Sequence, residues 1–235
     1  MENFQKFGVD TRFVIHDSGA SSGNAFVILD EQGENVVVVY PGTNAKLDVT
    51  DLDPVIEEIK TSGVVVAQLE IPIPTVRKLA SITKKYNVPF ILNPAPVPRE
   101  GITEILPMVN VLCPNQTEAQ SLTGIRIDQP EEAFSAARKL REMGAEIIVV
   151  TLGPQGAIFV SAESEEYIPA TPVTVRDRTG AGDAFVGGLS FALAAGWSIT
   201  NSVIFATNVA ALSVTKVGTQ SGLPTYEEVT SFLKR

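Results

Sequence analysis

Glu146-Ile-Ile-Val-Val-Thr151 is the stretch on which the fold turns. Its unbroken aliphatic, β-branched run is too short for a buried helix and reads as a strand covered on both faces. Just before it, Pro130–Met143 reads as a helix, with Pro130 in the first turn where a missing N–H is tolerated. Just after it, Thr151-Leu-Gly-Pro-Gln-Gly156 leads into a further strand, Ala157-Ile-Phe-Val160. Toward the N-terminus the alternation repeats. Strand-like runs occur at Val109–Cys113, Val88–Leu92 and Val64–Leu69, and helical patterns at Gln116–Thr123, Pro74–Tyr86 and Asp51–Thr61. Toward the C-terminus, two apolar helices are expected over Gly182–Ala195 and Ile199–Thr215, and a short one over Tyr226–Leu233. Short β-branched runs separated by helices predict an α/β fold, a mainly parallel sheet sandwiched between helices.

The first forty residues follow a different rhythm. Phe26–Leu29 and Val36–Tyr40 flank the polar turn Asp30-Glu-Gln-Gly33, which predicts a hairpin. A further strand is expected at Arg12–His16. The hairpin reads as an appendage to one α/β domain spanning 1–235, with residues 12–45 the appendage and 46–235 the core.

The chain has 235 residues, 44 % hydrophobic and 19 % charged, a globular composition that excludes disorder. Eighteen Lys and Arg against 27 Asp and Glu leave a net charge of −9, which argues against nucleic acid as a partner. An anionic small ligand is still accessible to backbone N–H groups and helix N-termini. Cys113 and His16 are the only residues of their kinds, which excludes an intrachain disulfide and the common zinc motifs. Cys113 reads as a small buried group and His16 as a surface residue. No segment has the length of a membrane span and the start lacks secretory or transit character, so a soluble cytoplasmic protein is expected.

The strongest local signal is Asp177-Arg-Thr-Gly-Ala-Gly-Asp183 at the opening of an apolar helix. Gly180, Ala181 and Gly182 let backbone N–H groups converge on developing negative charge, and the helix adds its positive end. Asp183 is placed to take a proton from a hydroxyl. The same residues also serve as a glycine turn followed by an acidic residue in a first helical turn. Asn115-Gln-Thr-Glu118 can organise a metal ion and phosphate, or form a plain capping box. Thr151–Gly156 admits close approach of a nucleotide, or is an ordinary turn. Asn93-Pro-Ala-Pro96 is a rigid loop at a strand end, and Glu70 a carboxylate at another. The charges at Arg138–Glu142 and Glu163–Glu166 read as solvated faces or loops, and Gly187–Ala195 as core helix.

In this order, these segments closely resemble the ribokinase family of carbohydrate kinases over essentially the whole chain. Thr179-Gly-Ala-Gly-Asp183 is similar to the family's C-terminal signature, and Pro114–Glu118, Thr151–Gly156, Asn93–Pro96 and Tyr40-Pro-Gly-Thr-Asn-Ala45 to further family segments. The resemblance implies a parallel sheet between helices with a small β-lid, here the hairpin region. It implies Asp183 as catalytic base and Gly180, Ala181 and Gly182 as an anion hole. ATP contacts would come from Asn115, Thr151, Leu152, Gly153, Pro154, Gln155, Gly156 and Gly182, with Asn208 beside the nucleotide. Glu118 would act indirectly on Mg²⁺, and Glu70 and Asp183 would contact the sugar. K⁺ would lie in a loop pair with Asp177, Thr179, Ser213, Lys216, Gly218 and Gly222. The implied reaction is ATP-dependent phosphorylation of D-ribose to ribose 5-phosphate, and the implied assembly a homodimer through the lid.

Two departures stand out. Arg178 takes the place of a small residue, usually Thr, beside the cation loop. The family's usual beginning, with its first core strand, part of the lid and a sugar-binding Gly-Gly-Lys-Gly stretch, has no counterpart here. The expected consequences are an unpaired sheet edge and fewer sugar contacts. Alternatives are therefore a non-catalytic nucleotide-binding or regulatory protein, or a kinase for another sugar or nucleoside.

Overall fold

The computed structural model describes residues 2–29, 35–99 and 101–234. Eight strands and eight α-helices occur among them: β1 (Asn24–Leu29), β2 (Asn35–Tyr40), β3 (Val65–Ala67), β4 (Phe90–Leu92), β5 (Val111–Leu112), β6 (Ile147–Thr151), β7 (Ala157–Val160) and β8 (Glu165–Ile168), with α1 (Glu2–Lys6), α2 (Ile56–Thr61), α3 (Ile73–Tyr86), α4 (Gln116–Thr123), α5 (Pro130–Glu142), α6 (Ala181–Ala194), α7 (Ile199–Ser213) and α8 (Tyr226–Phe232). Strands β3 to β8 form one sheet in that order, parallel from β3 to β6 and antiparallel from β6 to β8. β1 and β2 form a separate antiparallel hairpin. The expected α/β sandwich with its small antiparallel appendage is the fold observed.

The strands owe their near-continuous hydrophobicity to burial on both sides. Phe90, Leu92, Leu112, Ile148, Val150, Ile158 and Val160 face one core, with α3 and α5 supplying Val76, Leu79, Ala133, Ala137 and Leu140. The alternate residues Ile91, Val111, Val149, Ala157 and Phe159 face a second core, closed by Phe185, Val186 and Leu189 of α6 and Val203 and Ala206 of α7. The period of two along each strand thus divides one apolar run between two helical layers. Cys113 is buried in the second layer, and burial pushes its thiol far above the ordinary range.

Several expectations need correction. No strand forms over Arg12–His16: Asp10 accepts from the backbone N–H and side chain of Arg12, and Val14 donates to Thr11 O, so a local turn replaces it. His16 is nonetheless exposed. The helix expected over Asp51–Thr61 divides into a 3-10 segment, Val49–Val55, and α2, with Pro54 inside the first part. Asp48 caps that segment in a reciprocal box with Asp51. Glu163–Glu166 is not simply loop, because Glu165 and Glu166 open edge strand β8. Glu165 takes a two-pronged hydrogen bond from Arg138, at 2.9 and 2.6 Å, which pins the edge to α5. Only one face of Gly187–Ala195 is core: Phe191 is exposed and stacks with Trp197, Phe205 and Tyr226. The turn expected at Asp30–Gly33 lies outside the described residues.

At one sheet edge β3 pairs only with β4 among the described residues, and Val64, Val65 and Val66 are half-buried. The hairpin stands away from both cores, with Phe26, Val38, Val39 and Tyr40 exposed.

Candidate active site

The parallel strands deliver the candidate residues to one end of the sheet. Glu70 lies three residues past β3, Asn93 directly after β4, Asn115 three past β5, and Leu152 directly after β6. Loops at this carboxyl end are where open α/β sheets bind ligands.

Asn115 and Thr151 meet as a single parallel bridge, and Thr151 N donates to Pro114 O at 3.0 Å. Asn115 also caps α4. Its Oδ1 accepts from Glu118 N at 2.8 Å, while the Glu118 carboxylate accepts from Asn115 N and Nδ2, each at 2.8 Å. The capping reading is therefore correct as structure, and it holds a half-buried carboxylate beside the Thr151 loop. Burial pushes the Glu118 carboxyl above its usual range, and the Asn115 N–H draws it partly back.

Thr151–Gly156 is a tight link between β6 and β7. Leu152 N donates to Gly156 O at 2.8 Å across a 3-10 turn over Gly153–Gln155. Gly156 has φ 103°, and a Cβ there would lie 2.1 Å from Ile168 O. Only glycine fits where the loop presses on β8. Tyr167 of β8 donates its hydroxyl to Gln155 O at 2.6 Å, an anchor that sequence reasoning missed.

The α6 N-terminus is capped by Gly180 in the left-handed region at φ 80°, with no side chain closing the first turn. Its open N–H groups carry the helix's positive end. Asp177 fixes the approach. One carboxylate oxygen accepts from Thr179 N and Oγ1 at 2.9 and 2.7 Å, and the other from Gly218 N at 3.0 Å. The Gly218 and Thr179 amides hold this carboxyl below the usual aspartate range. Asp177 thereby joins the signature loop to the segment 213–222. There Gly222 N donates to Gly218 O at 2.9 Å and Lys216 N to Ser213 O at 3.3 Å, while Lys216 Nζ reaches Glu228 at 2.8 Å. A Cβ on Gly222 would stand 2.5 Å from Gly218 O and 3.1 Å from Ser213 O, so two carbonyls crowd one small space.

A cavity of about 510 Å³ connects these parts. Thr151, Gly153, Pro154 and Gly156 line it from one side, and Arg178, Ala181 and Gly182 from the other. Val173, Val175, Phe185 and Val214 form apolar walls. Its size and lining suit a small organic ligand with an anionic group at the helix end. Not every expected contact lines it. Leu152 turns into the core, Gln155 is exposed, and Asn115 and Glu118 lie outside the lining. Asn208 stands behind the wall, accepting from Thr171 Oγ1 at 2.8 Å and donating to Ile204 O at 2.8 Å, so it supports Thr171, which does line the cavity.

Asp183 is exposed and lines a second, smaller pocket of about 280 Å³ with Gly187, Phe191, Leu223 and Tyr226. The first turn of α6 therefore lies between two spaces, with Ala181 and Gly182 on the larger and Asp183 on the smaller. Glu70 is exposed and belongs to neither, three strands across the sheet from β6. Among the described residues no three His, Cys, Asp or Glu cluster as a metal site, and no helix is long and apolar enough to cross a membrane.

Comparison with known proteins agrees with this fold. Residues 1–226 match the pfkB family of carbohydrate kinases. The chain is 32 % identical to a ribokinase of Staphylococcus aureus over 97 % of its own length and 75 % of that protein. It is also 32 % identical to a deoxyribokinase of Salmonella typhi, over 99 % and 76 % of the two chains. A bifunctional ribokinase/ribose-5-phosphate isomerase A of Fructilactobacillus sanfranciscensis is 32 % identical over the whole chain, which spans 44 % of that longer protein. Among solved structures, a ribokinase from Thermotoga maritima superposes with TM-score 0.87 at 32 % identity, covering 100 % of this chain and 76 % of the other. An Arabidopsis thaliana ribokinase complexed with ribose and ATP superposes with TM-score 0.82 at 28 % identity, covering 94 % and 74 %. With its signature loop, sheet and family match in agreement along almost the full length, the chain belongs to the pfkB family of carbohydrate kinases, as a ribokinase-type member.

Proposed function

We propose that this chain transfers the γ-phosphoryl group of ATP to the 5-hydroxyl of D-ribose. The observation that carries the reading is the position of the first turn of α6 between two pockets, with Ala181 and Gly182 of the uncapped helix end on one side and Asp183 on the other. ATP lies in the larger cavity, against Thr151, Gly153, Pro154 and Gly156, with its terminal phosphate toward Ala181 and Gly182. Asp183 takes the proton of the ribose hydroxyl as its oxygen bonds to the γ-phosphorus. The bond to the β-phosphate oxygen breaks, and ADP leaves. The Gly180–Gly182 backbone steadies charge on the transferring group, where most of the catalysis of phosphoryl transfer resides.

Glu118, fixed by its cap with Asn115, would act indirectly on Mg²⁺, which would supply neutralisation of phosphate charge, and Asn115 would contact ATP. The half-buried carboxylate fits that task. The carbonyls of Ser213 and Gly218 beside Gly222, tied to the signature by Asp177 and Thr179, are the hard oxygen donors that suit K⁺, and Lys216 belongs to the same turn. Glu70 would meet the sugar from β3. The exposed Phe26, Val38, Val39 and Tyr40 support a homodimer through the hairpin. A cytoplasmic setting agrees with the single unpaired cysteine.

Deoxyribose is the second reading, favoured by the equal 32 % identity to the deoxyribokinase. The test is phosphorylation of D-ribose and of 2-deoxy-D-ribose by the purified chain with ATP, Mg²⁺ and K⁺, beside Asp183→Asn. Turnover of ribose that the substitution reduces about 10²–10⁴-fold is expected. Folded protein that transfers phosphate to neither sugar would refute the reading, and preference for deoxyribose would replace it with the second.

A further inference from the structure

Arg178 is the one charged side chain among the residues lining the 510 Å³ cavity. Its backbone is held on both sides. Arg176 N and Asp177 N both donate to Val214 O, at 2.7 and 3.2 Å, and Ala181 N donates to Arg178 O at 3.2 Å. The adjacent Asp177 forms no ion pair with it, since its two carboxylate oxygens face Thr179 and the Gly218 amide instead. No other carboxylate among the described residues forms an ion pair with it. Arg178, with no carboxylate partner among the described residues, therefore lines the same space as Ala181 and Gly182, in a chain whose net charge of −9 would otherwise repel a polyanion.

Building on the proposed use of ATP, we infer that Arg178 is a phosphate-contacting residue that binds the nucleotide's polyphosphate from the mouth of the cavity. A guanidinium offers a fork of N–H donors that matches two phosphate oxygens at once, which a threonine hydroxyl cannot. Arg178 adds charge where the helix end supplies only partial charge. Both ATP and ADP carry the diphosphate it contacts, so it tightens substrate and product alike. Adenosine, which lacks phosphates, gains nothing from it.

The test is direct binding of ATP, ADP and adenosine by titration calorimetry to the full chain and to Arg178→Thr and Arg178→Lys, with thermal unfolding to confirm that each is folded. Arg178→Thr should weaken ATP and ADP about 10-fold and leave adenosine within about twofold. Arg178→Lys keeps the charge without the fork and should lie between. The Arg178-dependent part of the ATP affinity should shrink as salt rises. Unchanged ATP affinity in Arg178→Thr, or an equal loss for adenosine, would overturn the assignment. So would a wild-type chain that binds no ATP. A wild-type chain that binds ATP through Arg178 but phosphorylates no sugar would sink the proposed reaction and leave this assignment standing.

Discussion

Replacing Gly156 with alanine tests whether the β6–β7 loop is as tightly fitted as its geometry indicates. At φ 103° and ψ −131° the residue lies where L-residues are strained by roughly 1–3 kcal/mol. The new Cβ would also fall 2.1 Å from Ile168 O, 2.6 Å from Ala170 N and 2.8 Å from Pro169 C, all backbone atoms that cannot swing away. Displacing packed backbone adds about 1–3 kcal/mol, for a total near 4 kcal/mol. For a domain of this size that lowers Tm by roughly 10 °C. Gly153 in the same loop is the control. Its φ is 56° with nothing within 4 Å of an added Cβ, so alanine there should lose only about 1–2 kcal/mol. Urea unfolding followed by circular dichroism measures both. If the two substitutions destabilise equally, or Gly156→Ala loses less than about 1 kcal/mol, the steric reasoning fails.

Tyr167→Phe removes the hydroxyl that holds Gln155 O, so a loss of about 1 kcal/mol and a several-fold weaker ATP titration are expected. Leu189→Ala empties a fully buried position between α6 and the sheet, and denaturant unfolding should show a loss of about 2–5 kcal/mol. Asp177 titrates lower in the folded chain than in the unfolded one, where the value is near 3.8. Its stabilising effect is thus complete above that pH and is lost as pH falls through the lowered value. Asp177→Asn should flatten this acid limb in a pH series of unfolding curves and raise the K⁺ concentration needed for half-maximal turnover.

What the sequence revealed follows from how each segment is stabilised. β4, β6 and β7 are apolar on both faces, and that burial is written into Phe90-Ile-Leu92, Ile147–Thr151 and Ala157–Val160. α4 showed both ends, because Asn115 and Glu118 form its cap and Gly124 closes it with φ 72°. β8 was illegible for the opposite reason. Glu165-Glu-Tyr-Ile168 is an edge strand with one buried residue, held by pairing to β7 and by Arg138, neither of which is local. Arg12–His16 had strand-like composition but no strand beside it, and Asp10 captured its backbone.

The site divides in the same way. Gly180–Asp183 and Thr151–Gly156 are legible as candidates because glycines at tight turns leave a mark in sequence. The far walls of the cavity, at Val173, Val175 and Val214, are ordinary apolar residues whose role appears only when α7 packs beside the sheet. Asn208, expected to adjoin a nucleotide, is absent from the cavity lining and reaches it only through Thr171, whose hydroxyl donates to it.

In the main sheet, spatial order and chain order coincide from β3 to β8. Each strand pairs with the one made just before it, so no strand waits for a distant partner and loop closure stays short. A nascent polypeptide can therefore extend this sheet stepwise as it leaves the ribosome, each addition burying the previous open edge. The order of synthesis can thus serve as an order of assembly, and the signature loop and its helix are translated only after all six strands of the sheet they cover.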